Sequence, residues 1–342
     1  MRTQIFRRRP AGTPGRRRAA AGLLLGAAMT AVTLLAVSLT ASSRTGDTGN
    51  TGDTRNTGDT RNTGDTRDME PTARPLTDRE TALLDRAEQL LLRACMREHG
   101  FVYQPAEPHR ATAPREFPYV IDDPRWAARH GYGTALRAEL DEARRNDPNQ
   151  RYFRSLPAER RAAALRAANG ENPRGLTART PDGLVLTRSA DGCRSTAERE
   201  LYGDLAAWFQ ARSTVESLDW MRRERVTADP RYTAAVADWA RCMRAQGHPH
   251  ESPAALRASL PAPERALPAD EELPAAEEKE LATAEARCAL DTGLAETART
   301  LDAQHADELQ RQHRSAVDTA RRLQLAALPR AARITAQTAD GR

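Results

Sequence analysis

Two stretches decide how this chain folds: Ala94-Cys95-Met96-Arg97-Glu98-His99-Gly100 and Arg241-Cys242-Met243-Arg244-Ala245-Gln246-Gly247. In each, Cys-Met-Arg closes a helical pattern and Gly follows as the stop, because glycine enters the left-handed conformation that ends a helix without steric cost. The other two cysteines also fall in helical contexts, Cys193 ahead of Ser195-Thr196-Ala197-Glu198 and Cys288 within Glu285-Ala286-Arg287-Cys288-Ala289. The chain therefore reads as two loosely repeated halves, 76–225 and 226–342, each a Cys-bearing helix, an irregular connection and a second Cys-bearing helix. Four cysteines allow three connectivities, and this arrangement favours Cys95–Cys193 and Cys242–Cys288. A chain-entropy argument assigns each closure roughly 4 to 5 kcal/mol as an upper figure. A metal site competes, since Cys95 and His99 lie one helical turn apart and His248 and His250 follow Cys242. No tight Cys-x-x-Cys or His-x-x-x-His pair accompanies them, so no metal ligand is assigned.

Working outward, Thr77 and Glu80 form a capping box behind Leu76 and open a helix with Leu84, Ala87, Leu91, Ala94 and Cys95 on one stripe. Prolines at 105, 108, 114 and 118 keep residues 101–123 loop-like, with at most a short strand. Helices are predicted over 134–146 and 157–169, the second begun by Pro157 and ended by Gly170. Thr180-Pro181-Asp182-Gly183-Leu184-Val185-Leu186 is the best site for a small hairpin. A long helix is predicted from Ser195 to Arg223, and Asp229-Pro230 caps another carrying Tyr232, Val236, Trp239 and Met243. A Pro-rich connection over 248–274 holds a short helix near 254–260. The last predicted helix starts near 275 and runs for up to 50 residues, with Gly293 as a bend, folded back on its own domain. The fold class is mainly α, a disulfide-stapled helical domain with at most a small β-hairpin. Only 15 of 342 residues are aromatic and Ala and Arg dominate, which disfavours a large sheet.

The formal charge of +5 invites a nucleic-acid reading, and its distribution removes it. Residues 1–43 hold seven Arg and no acid, whereas residues 68–342 hold 41 basic and 43 acidic groups. No basic stripe of the kind nucleic-acid binders need is left, and no nucleic-acid partner is expected. The Arg-rich leader, 1–18, precedes an uncharged run over 19–43 that is long enough to span a bilayer. This is an export signal with its N-terminus in the cytoplasm. It predicts either a single-pass protein of the cell membrane, anchored through 19–43 with its C-terminal domain outside, or a protein secreted after signal cleavage. Residues 44–75 contain the hexamer Asn-Thr-Gly-Asp-Thr-Arg three times between 50 and 67. With nothing apolar to bury, this is a disordered linker. In an exported chain an even cysteine count makes disulfides the default.

On these cysteine helices, together with Arg151-Tyr152-Phe153-Arg154-Ser155-Leu156, Ala167-Ala168-Asn169-Gly170 and Gly192-Cys193, the chain resembles a group of exported proteins of high-GC actinobacteria that carry Cys-Met-x-x-x-Gly helices. The resemblance covers roughly residues 76–328. It implies an exported, disulfide-bonded protein and carries no activity with it.

Catalytic signatures do not emerge from spacing: there is no Gly-x-Ser-x-Gly, His-Glu-x-x-His, Walker loop or Ser-x-x-Lys. No catalytic residue and no cofactor is therefore assigned. Glu271, Glu272, Glu277, Glu278 and Glu280 read as a solvated face near a helix start rather than paired catalytic acids. The aromatics Phe101, Tyr103, Phe117, Tyr119, Trp126 and Tyr132 crowd a Pro-rich segment. They are the residues to consider for a ligand groove for sugar rings or extended peptides, and equally the plugs of a loop-rich core. The leading reading is a non-enzymatic envelope protein that binds a cell-wall or envelope partner. Two others stay open: a glycan-acting envelope enzyme whose carboxylates converge only in three dimensions, and a structural envelope protein without a ligand.

Overall fold

The capping box at Thr77 forms as its residue types dictate: Glu80 N–H donates to Thr77 Oγ1 at 3.3 Å and Thr77 N–H donates to Glu80 Oε2 at 2.8 Å. It starts α1 (Asp78–Glu98) of a computed structural model that describes residues 73–105, 115–260 and 274–339. The leader over 1–43 and the hexamer repeats lie outside the described residues. Among the described residues no helix is long and apolar enough to cross a membrane.

After α1 come α2 (Pro124–His130), α3 (Thr134–Arg145), α4 (Pro148–Ser155) and α5 (Ala158–Asn169). The antiparallel hairpin of β1 (Leu176–Arg179) and β2 (Val185–Arg188) follows, with Leu176 opposite Arg188 and Arg179 opposite Val185. It is closed by the predicted Thr180–Leu184 turn, in which Gly183 N–H donates to Thr180 O. The rest is helical: α6 (Cys193–Tyr202), α7 (Leu205–Ala228), α8 (Pro230–Ala245), α9 (Pro253–Ser259), α10 (Ala275–Asp291), α11 (Leu294–Gln312) and α12 (Arg314–Ala339). The protein is thus a disulfide-stapled, mainly helical domain.

Two long predicted helices are each broken by a glycine. Gly203, at φ +82°, separates α6 from α7, and Gly293, at φ +76°, separates α10 from α11. A third break at His313 separates α11 from α12. Two helices were not expected: α2 and α4 sit in Pro-rich sequence with little apolar periodicity. Each is started by an Asp-Pro pair, the Asp accepting backbone N–H bonds and the Pro entering at the first helical turn. No strand occurs in the described parts of 101–123.

The core is divided. One cluster joins Leu84 and Ala87 of α1, Leu201 and Tyr202 of α6, Trp208 and Ala211 of α7, and Ala320, Ala327 and Ala331 of α12. A smaller one surrounds Cys193 with Leu92, Met96, Phe101 and Ala164. The largest joins Tyr119–Tyr132 to Val226, Tyr232, Trp239, Leu256, Cys288 and Leu301. The boundary read at 225/226 therefore does not separate two bodies. Residues 117–132 pack with the second half, α12 packs back on α1, α6 and α7, and α7 contacts α8, α11 and α12 as well as the hairpin. The reason is where apolar side chains lie. The aromatics of 117–132 have no sizeable helix of their own to cover them, and the Ala-rich stripe of α12 admits close approach to α1.

Gly131 ends α2 at φ +58°, and a Cβ placed there would meet Glu278 Oε1 at 2.7 Å. That carboxylate accepts from Tyr132 N–H at 2.7 Å and Thr134 N–H at 3.3 Å. Gly131→Ala is expected to destabilise the fold by about 1 to 3 kcal/mol, read as a lowered urea midpoint.

Candidate functional site

Both favoured cysteine pairs are joined. Cys95 and Cys193 lie 5.6 Å apart between Cα atoms, linking α1 to α6, and Cys242 and Cys288 lie 5.7 Å apart, linking α8 to α10. His99 comes close to the first pair: its ring nitrogen and the two sulfurs fall within 4.8 Å of one another. The sulfurs are bonded to each other, so neither offers the thiolate that a metal ligand requires.

The six aromatic residues do not line one groove. Phe101 is buried in the Cys193 cluster, with Tyr103 against it, while Tyr119, Trp126 and Tyr132 are buried in the large cluster and Phe117 packs on it. Phe117 meets Trp126 edge to face at 4.9 Å, and Tyr119 meets Tyr232 at 6.0 Å. Packed with Trp239, Leu256 and Leu301 in one cluster and with Leu92 and Met96 in the other, they belong to two separate cores.

Each disulfide has a buried carboxylate beside it on a Cys-bearing helix. Glu198, 4% exposed, lies five residues after Cys193 on α6. Arg188 of β2 grips it in fork fashion, Nη1 donating to Oε1 at 3.0 Å and Nη2 to Oε2, and Arg212 of α7 adds Nη1 to Oε1 at 3.3 Å. These guanidiniums are themselves fixed by rings, Arg188 over Phe209 at 4.7 Å and Arg212 over Trp208 at 6.0 Å. Glu88 of α1 faces the same cluster, where Tyr202 Oη donates to its Oε2 at 3.5 Å. Burial, joined by the charge of Glu198, pushes the Glu88 carboxyl up to about 7 against the pull of Arg212. Burial also raises Asp85, one turn earlier on α1, and lowers Arg194 on α6.

The second carboxylate, Glu285 of α10, is fully buried three residues before Cys288. Its Oε1 accepts from Ile121 N–H at 3.0 Å and lies 3.5 Å from Arg257 Nη2 of α9. Burial raises its pKa, which Arg257, the Ile121 amide and Tyr132 partly offset. Sequence reasoning missed it because it sits on the apolar stripe between Ala284 and Cys288, where a charge carries no periodic signal. Of the acids singled out near this helix start, Glu271 and Glu272 lie outside the described residues. Glu277 and Glu280 are exposed, and Glu278 caps the start of α3 from across the chain.

No family model, curated protein or solved structure matches the chain.

An open concavity of about 290 Å³ lies at the α11–α12 junction, lined by Asp307, Gln310, Arg311, Arg314, Val317, Asp318 and Arg321. Arg314 Nε lies 3.3 Å from Asp318 Oδ2, while Asp318 Oδ1 is buried without a hydrogen-bond partner. This lining mixes guanidiniums with carboxylates. It contains no nucleophile–base pair.

The charge cluster yields two expectations. Removing Glu198 leaves the partly buried Arg188 without its carboxylate while Arg212 keeps Glu216 at 2.6 Å, so Glu198→Ala is expected to cost about 3 kcal/mol, measured by urea unfolding. For Glu88 the folded value lies above the unfolded one of ~4.3. Between those values the folded chain holds a proton that the unfolded chain has released, so stability from this group falls as pH rises towards about 7. The wild-type urea midpoint is expected to drop from pH 5 to pH 8, and Glu88→Gln to lessen that drop.

Proposed function

We propose that this chain is an exported helical protein, anchored in the cell membrane through residues 19–43 or secreted after cleavage, that binds a partner at the cell envelope without catalysing a reaction. The closure of both disulfides carries this reading, because such bonds persist in oxidising compartments outside the cytoplasm. The Arg-rich leader ahead of an apolar run, and the resemblance to exported actinobacterial proteins, point the same way.

The distribution of acids supports binding over glycan chemistry. A glycan-acting pair needs two carboxyl groups separated across an open cleft. Glu88 and Glu198 share one charge cluster, yet Glu198 is held by two guanidiniums and both face the packed junction of α1, α6 and α7. The partner-binding surface on this reading includes the α11–α12 concavity.

The full chain carrying a C-terminal reporter active only outside the cytoplasm is expected to give signal, and its non-reduced peptides to show Cys95–Cys193 and Cys242–Cys288 links. It is also expected to be retained on isolated cell wall or envelope fractions. No reporter signal from a chain that accumulates, four free thiols, or no retention of oxidised, folded protein would overturn the proposal.

A further inference from the structure

The two Cys-Met-Arg helices end alike but bring different side chains to their sulfurs. In each, the residue one turn after the cysteine reaches back to the bridge: His99 after Cys95, and Gln246 after Cys242. A ring nitrogen of His99 lies within 4.8 Å of both Cys95 Sγ and Cys193 Sγ. Gln246 Nε2 stands 3.6 Å from Cys242 Sγ and 3.3 Å from Cys288 Sγ. Among the described residues no His, Asp or Glu comes as near to both sulfurs of the second bond, and no Asp or Glu does so at the first. An imidazole takes up and releases a proton around neutral pH, which a side-chain amide does not.

The second cysteine of each pair stands at an opposite helix end. Cys193 is the first residue of α6, behind Gly192, and no side chain caps that turn. The positive end of a helix stabilises a thiolate, so Cys193 is the better leaving group. Cys288 sits in the last turn of α10, at the negative end, where a thiolate is disfavoured. Access does not separate the two bonds, since Cys95 and Cys242 are both partly buried while Cys193 and Cys288 are both buried. The acids of the α1–α6 contact are engaged elsewhere, Glu198 by Arg188 and Arg212 and Glu88 by Tyr202.

We infer that Cys95–Cys193 is a thiol–disulfide exchange site for a dithiol, with His99 as its proton donor, and that Cys242–Cys288 is the structural bond. One sulfur of the dithiol, as thiolate, attacks Cys95 Sγ, the less buried of the two. The mixed disulfide forms as the Cys95–Cys193 bond breaks, and the electron pair leaves on Cys193 Sγ. The start of α6 receives that thiolate and His99 protonates it, directly or through one water. The second sulfur of the dithiol, as thiolate, then displaces Cys95, which leaves as a thiolate and takes a proton from solvent. Two electrons pass from the dithiol to the cysteines, and the dithiol closes into its own disulfide. The two protons it gave up to solvent are balanced by those gained at Cys95 and Cys193, once solvent has reprotonated His99. This exchange is stoichiometric and does not depend on the envelope reading above.

Dithiothreitol serves as the dithiol, added at neutral pH to the oxidised, folded full chain. Timed acid quenching, alkylation of free thiols and peptide mass spectrometry then follow each bond separately. Cys95 and Cys193 are expected to become labelled at least about tenfold faster than Cys242 and Cys288. His99→Gln, which gives the first site the side chain of the second, is expected to slow opening of the first bond by about tenfold. The rate of the second bond and the urea midpoint should stay as they are. A loosened fold would speed both bonds, so slowing confined to the first is a change that damage to the structure does not produce. Reduction that proceeds only through global unfolding would open the two bonds together. Equal rates, faster opening of Cys242–Cys288, resistance of both bonds in the folded chain, or a first bond that His99→Gln does not slow overturns the inference.

Discussion

A single fully buried carboxylate, Glu285, fixes how the two cysteine-stapled parts of the chain meet. Placing a charge inside a protein is costly unless its oxygens are engaged. Here the engagement of Oε1 comes from far along the chain, the Ile121 amide at 3.0 Å and the Arg257 guanidinium at 3.5 Å, while Oε2 is buried without a hydrogen-bond partner. The backbone carbonyl of the same residue accepts from Trp239 Nε1 at 3.3 Å. The loop that follows the first Cys-Met-Arg helix is thereby drawn into the core of the second half. The Cys242–Cys288 bond, one turn further along α10, holds the helix that presents the carboxylate.

The opposite exchange is made by small side chains. Ala320, Ala327 and Ala331 of α12 lie against Leu84, Ala87 and Leu201, so the last helix closes the first core. Arg330 Nη1 donates to the free carbonyl of Leu201 at the end of α6, satisfying a helix terminus that lacks an intrahelical partner. The connectivity is then a reciprocal one, in which each core takes a segment from the other half. Few large apolar side chains are available in this composition, so the aromatics fill the spaces that alanine leaves. That is why a cluster of rings in a Pro-rich segment became core rather than groove.

Much of the local structure was legible from residue chemistry. Thr77 with Glu80, Asp229 with Pro230, and the Thr180–Leu184 turn act within a few residues, so their consequences follow from spacing alone. The helices α2 and α4 were not legible, because an Asp-Pro start in a Pro-rich stretch looks like a turn until packing extends it. Glu285 and Glu198 were not legible as interior charges. What makes them tolerable, a guanidinium or an amide brought from elsewhere, has no local signature.

By itself, the sequence determined the helical class, most helix starts and stops, and the near-neutral balance of residues 68–342. Each follows from short-range spacing or from counting. The tertiary structure alone decided which of the three cysteine connectivities forms, that the two halves exchange segments, that the aromatics pack in separate cores, and that Glu285 and Glu198 are interior. Each depends on which groups meet across tens or hundreds of residues, and that is settled by the burial of apolar area and the satisfaction of buried charge over the whole chain.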